Sequence, residues 1–222
     1  LKLLHRSLEA TLREGLAQSK NTITAQVSQA VGVQRVATLA QAMGVDQSPL
    51  DVVPSLALGT SPVTLLEMVG AYATLANQGE RRSSHVIQRI ADRHGSALAE
   101  FGATPQRVLS QPSSVELIDM LRDAVNRGTG TAVRTRFGIT ADVAGKTGTT
   151  QDNTDGWFIL MHPTLVAGAW VGFNDPRGPM RSNWWGQGGH NALLLVGDFF
   201  RSGLKDGWVD AKARFPRPPA PP

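Results

Sequence analysis

The stretch Ala144-Gly145-Lys146-Thr147-Gly148-Thr149-Thr150 decides the fold, because it closes an apolar segment and leads into a turn. The segment from 141 to 149 predicts a β-strand. Two more short apolar segments follow, at Trp157–His162 and Leu165–Phe173. Since His162-Pro163-Thr164 is a tight connection between them, we expect these two strands to pair antiparallel. The last third of the chain is therefore predicted to form an antiparallel sheet.

Helical patterns precede the strands. Apolar residues recur at helical spacing through Leu8, Leu12 and Leu16, which predicts a first helix. Two further helices are predicted over Thr22–Val31 and Val33–Met43, and each is followed by a glycine, a residue that commonly ends helices.

Two capping boxes, Thr64-x-x-Glu67 and Ser113-x-x-Glu116, predict the starts of two more helices. The buried faces predicted for these helices are Leu65, Met68, Val69, Tyr72 and Ala76 for the first and Leu117, Ile118, Leu121, Ala124 and Val125 for the second.

A small hairpin is predicted between the two capped helices, because His85–Ala91 and Ala97–Phe101 flank the turn residues 92–95. Asn191–Leu204 predicts a closing helix. The whole pattern predicts an α+β fold, an antiparallel sheet with helices packed on it plus a helical subdomain. We expect residues 1–215 to form one domain and 216–222 to be a proline-rich tail.

The composition excludes several classes of function. Of 222 residues, 41% are hydrophobic, which excludes a generally disordered chain. The sequence has no cysteine, which excludes disulfides, thiol catalysis and cysteine metal sites. The five histidines have no metal-binding spacing. The charged residues, which give a net charge of +4, are scattered along the sequence, and no nucleic-acid recognition motif accompanies them. We therefore expect no nucleic-acid partner. We also expect no metal and no cofactor.

The AGKTGTT stretch offers groups suited to an anionic ligand. The ammonium of Lys146 and the hydroxyls of Thr147 and Thr149 can hold a carboxylate by charge-assisted hydrogen bonds. Gly148 lets a substrate approach the main chain closely, and the backbone N–H of Thr149 can point at a developing oxyanion. The alternative for an isolated Lys-Thr-Gly is an edge strand with a solvated lysine.

A second motif, Ser19-Lys20-Asn21, lies far upstream between two predicted helices. A serine hydroxyl beside a lysine can relay a proton to or from a leaving amine. The amide of Asn21 can both donate to and accept from a substrate peptide bond. The alternative for this triplet alone is a polar turn between helices.

In this order, the two motifs resemble two of the three signatures of the penicillin-interacting serine acyltransferases. The sequence is similar to class A (bifunctional) penicillin-binding proteins over about residues 8 to 205. The segments that carry the similarity are Leu12–Thr22, Pro54–Thr60, Leu66–Met68, Ala71–Asn77, Gly145–Gln151, Asn153–Phe158, Leu165–Gly172 and Gly188-Gly189.

The resemblance implies a penicillin-binding transpeptidase or β-lactamase-like fold and a D,D-transpeptidase that cross-links peptidoglycan stem peptides. An active-site serine would attack the penultimate D-Ala carbonyl, and an amine of a second stem peptide would take the acyl group. It implies Ser19 as the proton relay and Asn21 as the orienting amide. Lys146, Thr147 and Thr149 would bind the donor carboxylate, with the Thr149 N–H as half of the oxyanion hole.

The resemblance also implies partners and a location. The partners are peptidoglycan stem peptides and β-lactam antibiotics. The location is the bacterial cell envelope, at the outer face of the cytoplasmic membrane (periplasm). The resemblance implies that a glycosyltransferase domain precedes this part of the protein and that an N-terminal anchor, absent from this sequence, reaches the membrane.

The sequence departs from the family pattern at the nucleophile. In the family the nucleophile is the serine of a Ser-x-x-Lys motif that lies upstream of Ser-x-Asn, and this sequence has no such motif ahead of Ser19. The one Ser-x-x-Lys in this sequence, Ser202 to Lys205, comes after Lys146, and we expect it to be a solvated helix end. Our hypothesis is that the chain is the C-terminal part of a transpeptidase domain that needs the missing N-terminal part of its own domain for activity. The alternatives are a non-catalytic peptide- or β-lactam-binding module and a β-lactamase-like serine hydrolase.

A glycine-rich region near the end of the sequence contains Trp184-Trp185 and His190. The tryptophan pair can stack on a sugar or a peptide, or pack beneath the sheet. Arg127-Gly128-Thr129-Gly130-Thr131 lacks the ending that a phosphate-binding loop needs, so it is interpreted as a helix terminus followed by a flexible turn.

Overall fold

The computed structural model describes residues 11–150, 153–173, 175 and 178–219. Leu8 of the first predicted helix and residues 220–222 of the predicted tail lie outside the described residues. Among the described residues, no helix is both long and apolar enough to cross a membrane.

The helices form in the order that the sequence predicts. The predicted helices over Thr22–Val31 and Val33–Met43 are both confirmed, and Gly32 and Gly44 follow them with positive φ. The helices are α1 (Leu12–Ala17), α2 (Asn21–Val31), α3 (Val33–Met43), a 3₁₀ helix (Pro54–Leu58), α4 (Leu65–Ala76), α5 (Gln111–Asn126), α6 (Ala132–Thr135) and α7 (Ala192–Lys205).

Among the described residues, the strands form three antiparallel sheets. Two are small: β1 (Glu80–Arg81) pairs with β4 (Gln106–Arg107), and β2 (Arg89–Ala91) pairs with β3 (Ala97–Glu100), which confirms the predicted hairpin. The central sheet has the order β5-β6-β7, and its strands are β5 (Ala144–Thr149), β6 (Asp155–His162) and β7 (Leu165–Gly172). The predicted antiparallel pairing across the 162–164 connection is confirmed, and so is the α+β class.

The first central strand begins three residues later than the sequence predicts. The guanidinium of Arg134 donates to the carbonyl oxygens of Ile139 and Ala141 at 2.6 and 2.8 Å. The side chain of Asp142 turns inward to an arginine of α5. These three residues therefore bond to arginine side chains and not to β6, and the backbone pairing of β5 with β6 begins at Ala144.

The first predicted capping box is confirmed and the second is wrong. Thr64 and Glu67 exchange the two hydrogen bonds of a capping box at the start of α4. At α5, however, the N-cap is Ser110, whose hydroxyl accepts from the backbone N–H of Ser113. Pro112 fits the first turn of a helix, where its missing N–H costs nothing, so the helix begins before it.

The buried face of α4 also differs from its prediction. The buried residues are Glu67, Ala71, Thr74 and Leu75, whereas the predicted residues are half-buried. The reason is that α4 packs against α5 and the sheet on one side, while its Leu65 and Val69 border an open groove beside β7. The stripe of α5 is confirmed, except that Leu117 is half-buried.

Helices cover both faces of the central sheet. On β6, Phe158 and Leu160 join a core cluster with Leu193, Val196 and Phe200 of α7. Met161 points to the opposite face, where a second cluster contains residues of α4 and α5, among them Leu75, Ile118 and Leu121. The alternation along β6 therefore fixes the sheet between two helical layers.

A buried ion pair joins α5, the segment before β5 and the C-terminal segment. Arg122 binds both carboxylate oxygens of Asp142, at 2.8 and 2.9 Å, and the backbone N–H of buried Phe215 donates to the same carboxylate. Burial alone would raise the pKa of Asp142. The hydrogen bonds from Arg122 and Phe215 outweigh burial and lower that pKa below its ordinary value.

The short helix α1 is fixed against the C-terminal half of α5. Arg13 contacts the carboxylates of Asp119 and Asp123 at 2.7 and 3.1 Å, and Arg127 contacts Glu14 at 2.7 Å. At the end of α5 a β-carbon on Gly128 would overlap the carbonyl oxygen of Ala17. The two helix ends therefore meet backbone to backbone.

We expect Arg122→Met to lower the free energy of unfolding by about 3–5 kcal/mol, because it leaves the Asp142 carboxylate buried without its partner. Urea denaturation of the purified chain measures this. Arg201→Met is the control, because its ion pair with Asp198 is exposed, and exposed pairs contribute at most about 1 kcal/mol. Equal losses for the two variants would contradict the account.

The same ion pair predicts a pH dependence. The pKa of Asp142 is lower in the folded chain than in the unfolded chain, where it is about 3.9. The ion pair therefore makes its full contribution to the free energy of unfolding above about pH 3.9. That contribution is lost as the pH falls through the pKa of the folded state. The difference in unfolding free energy between the wild type and Arg122→Met should therefore shrink below about pH 4. Denaturation series at several pH values measure it, and a constant difference would contradict the assignment.

We expect Gly128→Ala to destabilise the chain by about 1–3 kcal/mol, because the new methyl group overlaps backbone atoms of α1 and α5. The matched control is Gly70→Ala in α4, where a β-carbon meets nothing within 4 Å. That variant should be neutral or more stable by about 0.5–1 kcal/mol. Thermal unfolding of both distinguishes the account from a general intolerance of alanine.

Candidate active site

The first part of the site is the turn between α1 and α2. Ser19 has a positive φ of 55°, which is uncommon for a residue other than glycine. Two backbone bonds hold it there, from Ser19 N–H to Leu16 O at 3.2 Å and from Lys20 N–H to Gly15 O at 2.8 Å. The strained turn presents the Ser19 side chain at the surface, facing β5.

The second part is Lys146 in β5. Its Nζ donates to Oγ of Ser19 at 2.8 Å and to the carbonyl oxygen of Thr147 at 2.9 Å. The fold therefore brings the Ser-x-Asn and Lys-Thr-Gly motifs to one place. Because Nζ donates to Oγ, the hydroxyl hydrogen of Ser19 is free to donate elsewhere, which is the arrangement a proton relay requires.

Burial lowers the pKa of Lys146 to about 8, because removal from water disfavours the charged ammonium. An ordinary lysine has a pKa of about 10.4. Lys146 is still mostly charged at neutral pH, so it can attract a carboxylate, yet it can lose a proton far more readily than a solvated lysine.

The rest of β5 forms the floor of the site. Oγ1 of Thr147 lies 2.6 Å from Oγ1 of Thr129, and Oγ1 of Thr149 accepts from the backbone N–H of Gly188 at 3.0 Å. Gly148 lies so close to β6 that a β-carbon would be 3.0 Å from Cβ of Trp157. The threonine side chains of β5 are thus held by Thr129 and Gly188, while its backbone packs closely against β6.

The backbone of Thr149 faces the open edge of the sheet. The next residue, Thr150, donates its N–H to Asp155 of β6. Because hydrogen-bonded and non-hydrogen-bonded residues alternate in an antiparallel pair, the N–H of Thr149 points away from β6. This is the geometry that an oxyanion donor needs.

Asn21 is the first residue of α2 and is exposed. Within the described ranges, its amide has no hydrogen-bond partner, so the structure does not join it to Ser19 or Lys146. Its role in orienting a substrate stays a prediction.

Two segments of the site are not identified by motif alone. Thr129 donates its backbone N–H to Ala17 O at 3.2 Å and meets Thr147 through its side chain. Gly188 packs directly on β5 and β6, with no room for a β-carbon beside the Gly148 carbonyl. The signal for both is the small-residue pattern, Gly128-Thr129-Gly130 and Gly188-Gly189, which marks close backbone approach.

Other candidate residues lie elsewhere. Ser202 and Lys205 are exposed at the end of α7, as expected. Trp184 and Trp185 are exposed, so packing beneath the sheet is wrong, and Trp184 stacks on His190. In the part of the chain that the structure describes, no three His, Asp or Glu side chains are grouped to hold a metal ion.

The sequence is similar to that of known proteins. The family model of the penicillin binding protein transpeptidase domain matches residues 4–164. Penicillin-binding protein 1A of Neisseria gonorrhoeae is 35% identical over 202 residues, which is 88% of this chain and 24% of that protein. Penicillin-binding protein 1A of Rickettsia conorii is 30% identical over 221 residues, covering 89% of this chain and 27% of that protein.

Solved structures are similar in fold. The crystal structure of penicillin-binding protein 1A from Haemophilus influenzae has a TM-score of 0.80 at 26% identity, covering 94% of this chain and 36% of that one. The D,D-transpeptidase domain from Eggerthella lenta has a TM-score of 0.66 at 22% identity, covering 88% and 54%. The chain spans about a quarter of the length of the curated relatives it matches. By its family match and these identities, the chain belongs to the penicillin-binding protein transpeptidase domain family.

Proposed function

We propose that this chain supplies part of the active site of a peptidoglycan D,D-transpeptidase. The observation that carries the proposal is the 2.8 Å hydrogen bond between Lys146 Nζ and Ser19 Oγ, at the edge of β5. The order of the motifs along the sequence and the family match support the same activity. The reaction is acyl transfer through a serine ester between two stem peptides.

The donor peptide binds along the open edge of β5. Its terminal carboxylate is attracted by Lys146 and accepts hydrogen bonds from the hydroxyls of Thr147 and Thr149. Its penultimate carbonyl oxygen receives the N–H of Thr149, which stabilises the negative charge that develops there. Gly148 keeps the strand free of a side chain at this point.

Ser19 and Lys146 move the proton. The leaving D-Ala amine needs a proton as the serine ester forms, and the Ser19 hydroxyl can give it. Lys146, with its pKa of about 8, restores the proton to Oγ through the hydrogen bond already in place. Asn21 holds the peptide bond of the donor from the opposite side.

The nucleophile comes from another part of the same domain. In support, an apolar groove of about 630 Å³ lies beside β7, bordered by Leu65, Leu66, Val69, Gly168 and Phe199. In the described part of the chain β7 pairs with β6 alone, so its second edge offers free backbone groups. The missing N-terminal part of the domain covers this surface and brings the Ser-x-x-Lys motif.

The partners and the location follow from the activity. Penicillin-binding protein A from Mycobacterium tuberculosis, which has a similar fold, has been solved as an imipenem acyl-enzyme complex. We propose that β-lactams bind at β5 of this chain as donor mimics. Because the proposed substrates, peptidoglycan stem peptides, are part of the cell envelope, we propose that the protein lies there, at the outer face of the cytoplasmic membrane. An N-terminal anchor would hold it at the membrane.

We expect no covalent labelling of the 222-residue chain by a fluorescent penicillin, because it carries no Ser-x-x-Lys ahead of Ser19. A longer polypeptide that includes such a segment should be labelled. In that polypeptide Lys146→Ala should slow acylation by about 10²-fold or more, with little change in melting temperature. Gel fluorescence over time measures the rate.

The control for this experiment is Lys205→Ala, which alters the exposed lysine of the misplaced Ser-x-x-Lys and should leave acylation unchanged. Labelling of the short chain would show a nucleophile within it and contradict the proposal. Equal acylation of the wild type and Lys146→Ala would remove Lys146 from the site. A labelled ester that water rapidly hydrolyses would indicate a β-lactamase-like hydrolase instead.

A further inference from the structure

A stacked aromatic pair stands at the surface between β7 and α7. Trp184 is 61% exposed, although large aromatic side chains usually bury most of their area. Its ring lies parallel to that of His190, with 3.6 Å between centroids and 15° between planes. Since one face of the indole is covered by His190, the exposed area belongs to the other face.

The stack is held rigidly by its own loop, which we call the aromatic loop (Ser182–Asn191). Nδ1 of His190 lies 2.9 Å from the carbonyl oxygen of Trp184. The backbone N–H of Trp185 donates to Ser182 Oγ at 3.1 Å, and Nδ2 of Asn191 donates to Trp185 O at 2.8 Å. The exposed indole face is therefore preorganised, which lowers the entropy cost of binding a ligand to it.

The aromatic loop borders the proposed catalytic cleft. The N–H of Gly188 donates to Thr149 Oγ1 at 3.0 Å. A β-carbon on Gly189 would lie 3.6 Å from Cγ2 of Thr147, so the residue before His190 lies beside β5. The loop that carries the stack therefore lies beside the β5 residues at which the peptide is proposed to bind.

Another exposed tryptophan shows what is distinctive here. Trp208 is 51% exposed, but its ring packs edge-on against Phe199 at 5.0 Å, at the end of α7. A β-carbon on Gly203 would be in contact with the same ring. Trp208 thus has packing partners of its own at the end of α7, whereas Trp184 belongs to the loop whose Gly188 and Gly189 lie against β5.

We propose that the Trp184–His190 stack is a binding platform for an amine-bearing side chain of a stem peptide, and this rests on the proposed transpeptidase function. The face of a tryptophan attracts an ammonium group more strongly than that of any other side chain. The aliphatic part of such a side chain can lie on the indole while its charged end stays in water. The platform favours donor stem peptides whose side chain carries a free amine.

The test measures binding of three peptides to the full 222-residue chain by NMR titration. The probes are Nα-acetyl-L-lysyl-D-alanyl-D-alanine, the same peptide with norleucine in place of lysine, and N-acetyl-D-alanyl-D-alanine. Trp184→Ala should weaken the lysyl probe by about three- to fivefold, the size of an exposed cation–π contact. The norleucyl probe should change less and the shortest probe should not change.

The matched control is Trp208→Ala, which removes another exposed tryptophan and should leave the binding of all three probes unchanged. A second variant, Trp184→Phe, keeps an aromatic face and should retain most of the lysyl binding, so a loss in Trp184→Ala through misfolding is recognised. Unchanged lysyl binding in Trp184→Ala would overturn the platform, and so would equal losses for the lysyl and norleucyl probes.

Failure of the proposed function has a different signature. If N-acetyl-D-alanyl-D-alanine binds equally to the wild type and to Lys146→Ala, the assignment of the carboxylate site to β5 is contradicted. The platform proposal, which rests on that assignment, is then contradicted as well. If Lys146→Ala loses all three probes while Trp184→Ala loses none, the carboxylate site stands and the platform alone is overturned.

Discussion

Thr129 donates its backbone N–H to the carbonyl oxygen of Ala17, and Gly128 permits the approach because it has no β-carbon. This contact fixes the end of α1 against the end of α5. Ser19 lies two residues beyond Ala17, so its position over β5 follows from the contact. Thr129 also meets Thr147 through its hydroxyl. One junction between two helix ends thus sets the distances within the site.

The central sheet gives the site its chemical character. On its inner side, β5 is paired with β6 and backed by the two helical layers, which makes it rigid. On its outer side, it leaves backbone groups unpaired, and these would be a liability in an ordinary edge strand. Here the open edge is flanked by Ser19 on one side and by the aromatic loop on the other. The partial burial of Lys146 belongs to the same arrangement.

Sequence patterns predict the helices, the central sheet and the two motifs well, because apolar spacing, glycine stops and tight connections are local signals. These local patterns give wrong predictions where contacts with residues distant in the sequence determine the bounds or the buried face of an element. The start of β5 depends on Arg134 and Asp142, and the buried face of α4 depends on what packs beside β7. A local pattern also gives a wrong prediction at α5, where the predicted capping box begins at Ser113. Pro112 lies in the first turn of the helix, and the N-cap is Ser110.

The candidate site shows the same division. Lys146 and Ser19 carry recognisable chemistry and are identified from the sequence, although only the fold shows that Nζ reaches Oγ. Thr129 has no chemical signal of its own, since its importance comes from a contact with Thr147 and another with α1. The exposure of Trp184, which the sequence leaves open between two interpretations, depends on how the aromatic loop is held.

The central claim is that Lys146 is partly withdrawn from water and held against Ser19. The most direct measurement is an NMR titration of the chain with ¹³C-labelled lysine, followed at Cε of Lys146. We predict a midpoint at about pH 8, with a displaced midpoint in Ser19→Ala because the hydrogen bond is lost. A midpoint near 10.4, the value of a solvated lysine, that does not respond to Ser19→Ala would contradict it.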